Sequence, residues 1–165
     1  MNCIECGSEL DLRREPYRYE DCGLKGVVLQ DTEVRKCLKC GEEEVVIPAI
    51  AGLHAVLAMA IIRRKTRLNG DEVRFLRKYI GWSGANFAAH MGVEPGTVSR
   101  WENGSAPIGS TADRLLRLAV VSVKQIGDYS VDELVGILDE DPPSQTRIRL
   151  SHDSLAVWHE DAACM

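Results

Sequence analysis

Cys3-Ile4-Glu5-Cys6-Gly7 and Cys37-Leu38-Lys39-Cys40-Gly41 decide how the first part of this chain must fold. A C-x-x-C run puts two thiolates on one tight turn, the bite that grips one side of a tetrahedral ion. Two such turns complete a shell of four sulfurs. Gly7 and Gly41 follow at the same offset, where the loop needs a residue that tolerates positive φ. The expectation is one structural metal ion, zinc first, held by Cys3, Cys6, Cys37 and Cys40.

Other chemistries use the same residues. Disulfides need an oxidising compartment, but the opening Met-Asn-Cys-Ile-Glu-Cys carries neither a basic n-region nor an apolar h-region. The chain is therefore expected to be cytoplasmic, where paired thiols hold metal. Repeated C-x-x-C-G also describes the knuckles of rubredoxin, so iron stays open beside zinc. A closed four-sulfur shell leaves no coordination position for catalysis. Cys22 and Cys164 have no partner at ligand spacing and read as ordinary thiols.

Charge is unevenly distributed. The 165 residues carry a net −5, which ordinarily argues against a nucleic-acid partner. Residues 1–48 hold 7 basic and 11 acidic side chains, residues 49–126 hold 11 and 5, and residues 127–165 hold 2 and 9. A basic middle between two acidic ends suits a phosphate backbone. The run from Pro48 to Ile62 has no formal charge. It is shorter than the roughly 18–20 residues a bilayer crossing needs, so it reads as a buried or partner-facing helix and as the candidate dimer interface.

Four segments follow. Residues 1–48 read as short strands and turns around the ion, a module with almost no core of its own that metal binding must fold. Residues 49–68 are a connecting apolar helix ending near Thr66. Residues 69–126 are helical: Asn69 and Glu72 form a capping box, Gly81 closes that helix, and Ser83 opens the next. Pro95 starts another that ends at Asn103-Gly104, and Ser110 or Thr111 starts a longer one. In residues 127–165, Ser130 and Glu133 box a last helix before an acidic tail. The tail segments 147–150 and 155–158 form a hairpin, pack on the core or stay mobile. His54 reads as a satisfied interior residue, His90 ends the second helix where a cation suits the dipole, and His152 and His159 have no ligand spacing between them.

Ala88, Gly92 and Val98 carry the functional reading of the middle. Two short helices crossing closely need a small residue in the first, a left-handed turn residue four positions on, and an apolar β-branched residue six further. Ala88-x3-Gly92-x5-Val98, followed by Trp101 and Asn103-Gly104, resembles the XRE/Cro-type helix-turn-helix. The helix from Pro95 would then read DNA. Thr97 and Arg100 are its base- or phosphate-contacting residues, Arg100 forking onto guanine. Glu94 and Gly96 are their groove neighbours, and Ser83 and Asn103 lie where phosphate is commonly held. Domains of this type often carry Gln directly after the Ser that opens the second helix. Here that position is Gly84, so recognition leans on the following helix.

The paired C-x-x-C-G motifs ahead of this helix-turn-helix resemble the MqsA-like (YgiT-type) zinc-finger antitoxin and regulator family, over about residues 1–126. The resemblance implies an α+β chain: a small N-terminal zinc-binding β module, then an all-α, lambda-repressor-like domain. It also implies a homodimeric, sequence-specific DNA-binding autorepressor whose zinc module meets a ribonuclease toxin. The hydrophobic 48–62 stretch and the extra 39 residues past Ile126 depart from a minimal antitoxin. A redox protein built on the four sulfurs and a protein-interaction adaptor without DNA binding remain open. An enzyme is not expected, because the chain offers no catalytic triad, phosphate-cradling loop or paired carboxylates.

Overall fold

The computed structural model describes residues 1–162, so Cys164 lies outside the described residues. The fold is mixed α and β. Strands β1 (Leu10–Arg18), β2 (Val27–Cys37) and β3 (Glu43–Val46) come first, followed by helices α1 (Ile50–Ile62), α2 (Gly70–Tyr79), α3 (Gly84–Met91), α4 (Pro95–Glu102) and α5 (Ser110–Lys124). Strands β4 (Ile148–His152) and β5 (Trp158–Glu160) end the chain. β2 is the spine of one five-stranded sheet. β1 runs antiparallel along one of its edges, while β3 and β4 share the other edge. The β1–β2 register shifts between Glu15 and Tyr17, where Pro16 has no N–H to donate and Asp31 on the facing strand turns to φ 48°.

The acidic tail folds as a hairpin. β5 pairs antiparallel with β4, and β4 pairs parallel with β2 through Val27–Ile148 and Leu29–Leu150. This corrects the expectation of a coreless N-terminal module. Tyr19 and Leu24 of the β1–β2 connection, Val27 and Leu29 of β2, Leu53, Leu57 and Ile61 of α1, Val73 and Leu76 of α2, and Ile148, Leu150 and Trp158 of the tail are buried in one hydrophobic cluster. The α1 stripe is thus covered by its own chain and is not available as a dimer interface. Trp158 fastens the hairpin to the start of α1, its Nε1–H donating to the Pro48 carbonyl at 2.8 Å.

Two helices end differently from expectation. α1 stops at Ile62, not near Thr66, because Arg117 of α5 takes the backbone carbonyls that would continue it. Its guanidinium donates to Ile62 (3.0 Å), Arg64 (2.5 Å) and Thr66 (2.8 Å). Asp113, one turn earlier on α5, accepts from Arg117 Nε at 2.6 Å and from the Leu68 amide at 2.7 Å. Both side chains are fully buried. The helix expected from Ser130 is a single 3₁₀ turn over Val131–Leu134. Glu133 does not turn back to box it, since its carboxylate meets Lys65 Nζ at 3.2 Å, and Gly136 at φ 84° ends the turn.

The capping box at Asn69 and Glu72 forms as expected, but Glu72 is fully buried and also accepts from the Thr146 hydroxyl (2.9 Å) and Arg64 (3.1 Å). Burial pushes its carboxyl up, against the Asn69 amide and Thr146 hydroxyl that hold it down. Arg117→Ala leaves Asp113 buried without its cation and strips three carbonyls. A loss of about 3–5 kcal/mol is expected, read as a lower midpoint in urea unfolding.

Candidate metal centre and an exposed helix pair

The sheet register builds the four-cysteine site. Leu10 pairs with Cys37, so the turn preceding β1 and the turn following β2 meet at the same end of the hairpin. The second turn leads directly into β3, which returns along β2 through Lys36–Glu43. Each turn has the same internal bonds: Gly7 N–H to Cys3 O and Gly41 N–H to Cys37 O, both 2.9 Å. Gly7 and Gly41 take φ of 71° and 80°, as their common offset requires.

The four sulfurs lie within 4.8 Å of one another, with Cys3–Cys40 at 3.6 Å and Cys6–Cys37 at 3.4 Å. A tetrahedron with sulfurs about 2.3 Å from its centre has edges of about 3.8 Å, so these residues fit one tetrahedral ion. Their protons support the same assignment. Cys37 is pulled down to about 6 by the backbone amides of Cys40 and Lys39. Cys40 is pushed up to about 12: the Glu42 amide pulls it down, but the neighbouring Cys37, Cys3 and Cys6 side chains and burial outweigh it. Four thiols packed this closely cannot all ionise without a cation between them. Cys22 stays apart, its thiol directed to the Tyr19 carbonyl.

α3 and α4 form the second arrangement. They are joined by three residues, with Gly92 left-handed at φ 66° and the Val93 amide bonded to the Ala88 carbonyl at 3.0 Å. Ala88 and Val98 are buried, and Phe87 of α3 meets Trp101 of α4 edge to face at 6.2 Å. Trp101 is core. Glu94, Gly96 and Arg100 are exposed along α4 and Thr97 is half-buried, its hydroxyl accepting from Arg100 at 2.9 Å. Ser83 caps α3 by accepting from the Asn86 amide, and Asn103 accepts from the Ser105 amide at 2.9 Å. All six lie on α4 or at the ends of α3 and α4, away from the four sulfurs in the chain.

Sequence reasoning missed what holds α4 in place. Glu102 accepts from Arg77 of α2 at 2.5 and 3.1 Å, and Arg74 donates to the Glu102 carbonyl at 2.9 Å. Gly70 is needed there, since a Cβ would come within 2.6 Å of the Trp101 carbonyl oxygen. Charged residues three apart on α2 are the only local signal, and they read equally as a solvated face. His54 is satisfied as expected, 2.8 Å from the Tyr19 hydroxyl. Burial lowers the His54 pKa and, as the largest cause, pushes Tyr19 up to about 12.

Comparison of the chain with protein-family models, with curated proteins and with solved structures finds no match. Among the described residues, no helix is long and apolar enough to cross a membrane. The purified protein should carry one divalent ion per chain by elemental analysis. Cys37→Ser should abolish it, Cys22→Ser should leave it intact, and retention should fall as the solution is acidified, because protons compete with the ion for the four thiolates.

Proposed function

We propose that the protein is a sequence-specific DNA-binding transcriptional regulator, acting as a homodimer and repressing its own operon, with one structural zinc ion in the four-cysteine site. In this reading α3 and α4 form a lambda-repressor-like helix-turn-helix and α4 enters the major groove. The observation that carries it is the left-handed Gly92 turn between two short packed helices that bury Ala88 and Val98. That packing leaves Glu94, Gly96 and Arg100 exposed on one short helix. Glu102, held by Arg74 and Arg77, gives α4 the rigidity that base reading needs.

The basic balance of residues 49–126 supports a phosphate-bearing partner. Zinc is preferred because four thiolates in one closed shell are the usual donor set of a structural zinc ion. The preparation should be colourless, whereas an iron site absorbs in the visible. The MqsA-like resemblance extends the reading to an antitoxin role with a cytoplasmic ribonuclease as partner, and no catalytic activity is assigned to the chain.

A protein-interaction role for the metal end has its own support. Ile4 and Leu38, the second residues of the two knuckles, are 79% and 75% exposed. Apolar tips fixed by an ion suit a protein partner.

Arg100→Ala tests the DNA reading. Binding to duplexes from the protein's own promoter should weaken by about 1–3 kcal/mol if Arg100 forks onto a guanine, with the preference at that base pair relaxed. Unchanged affinity and sequence preference for this variant would remove Arg100 from the interface. Failure of the wild-type chain to bind any such duplex at low salt would sink the regulator reading.

A further inference from the structure

The linker between α1 and α2 is basic, and the segment after α5 answers it cation by cation. Residues 127–141 carry six carboxylates and no Lys or Arg. Arg63 donates to both the carbonyl and the carboxylate of Asp128, at 3.4 and 2.7 Å. Lys65 does the same to Glu133, at 2.5 and 3.2 Å, and Arg67 does the same to Asp139. Arg64, between them, goes instead to Glu72 and the Arg147 carbonyl. Tyr129 and Ile137 anchor this acidic strap by burial, while Val131 and Val135 between them are exposed. The side chains of Asp128 and Asp139 are 72% and 68% exposed, a setting in which ion pairs contribute little. Arg67 Nε is buried with no acceptor among the described residues, so the strap matches that guanidinium incompletely.

The same cations lie next to α4. Gly70, just past Arg67 in the chain, abuts the Trp101 and Glu102 carbonyls. Asn103 and Gly104 line one cleft of about 530 Å³ with Asp141, Pro142 and Pro143, where the strap continues beyond Asp139. We propose that Arg63, Lys65 and Arg67 form a second phosphate-binding surface, which the strap occupies in the free protein and gives up to a DNA duplex. The exchange is chemically even. Each cation now holds a carbonyl and a carboxylate, and a phosphodiester offers two oxygens and one negative charge in their place. The strap is thus an internal competitor that weakens binding wherever backbone phosphates alone supply the affinity. The inference deepens the regulator reading and rests on it for the identity of the polyanion.

Anisotropy of a labelled random-sequence duplex, titrated at several salt concentrations, measures the exchange. Asp128→Asn, Glu133→Gln and Asp139→Asn together should tighten binding about tenfold or more and steepen the slope of log K on log salt by about 2–3, because each phosphate contact contributes about 0.9. Glu9→Gln, Glu15→Gln and Glu42→Gln together change net charge equally at exposed positions in residues 1–48, and should leave that slope near the wild-type value. Adding Arg63→Gln and Lys65→Gln to the strap variant should remove most of the gain. Hydrogen exchange on the wild type needs no substitution: the Leu138 amide, bonded to the Lys65 carbonyl at 2.7 Å, should lose protection when duplex is added. A strap variant with the wild-type slope overturns the proposal, as does a charge-matched control that gains as much. A gain that survives Arg63→Gln and Lys65→Gln overturns it too, and so does a Leu138 amide that stays protected in the complex. The regulator reading fails separately: a chain that shows the exchange but binds promoter and random duplexes equally sinks sequence-specific regulation and leaves the strap standing.

Discussion

Arg117 is the residue through which the two halves of the chain are joined. An arginine with no exposed surface must have its donors met, and here Asp113 and the carbonyls of Ile62, Arg64 and Thr66 meet them. The cation does for the end of α1 what a basic residue in the last helical turn would do: it answers carbonyls that have no intrahelical partner. It also fixes the linker to α2 against α5. Tyr129 adds a bond to Ile62 from the other side. The junction holds α5 against the end of α1 and the segment that leads into α2.

The four-cysteine site has a simpler logic. A hairpin whose register pairs Leu10 with Cys37 sets two turns of the same geometry side by side. An ion held there would lock an edge where few apolar side chains are available to hold it. The rest of the sheet relies on the common core, because β2 alternates buried Val27 and Leu29 toward α1 and the tail hairpin extends the same layer. The metal end and the helical end are thus parts of one packed body.

Much of this was legible from neighbouring residues. The Asn69 box, the Pro95 start, the Gly92 turn and the two glycine-closed knuckles are set by interactions within a few positions of the chain, so spacing was enough to find them. What escaped depends on distant partners. The early end of α1 needed an arginine from α5, and the lost helix at Ser130 followed from Glu133 meeting Lys65. The tail's parallel pairing with Val27–Leu29 has no local signature, and neither has the Arg77–Glu102 pair that steadies α4. For the candidate site, residue types and order were readable, but exposure was not: only the packed helices show that Thr97 is half-buried while Arg100 lies exposed with its guanidinium on the Thr97 hydroxyl.

The parallel junction of β4 with β2 also orders the life of the chain as it is made. The amino-terminal hairpin emerges from the ribosome early, but the partner for Val27–Leu29 lies at the far end of the polypeptide. Until Ile148–Leu150 is synthesised, that stretch of β2 presents unpaired amides and carbonyls, a template for stray strands. Truncation before Ile148 would therefore leave a nascent-like species with a sticky flank rather than a shorter native fold.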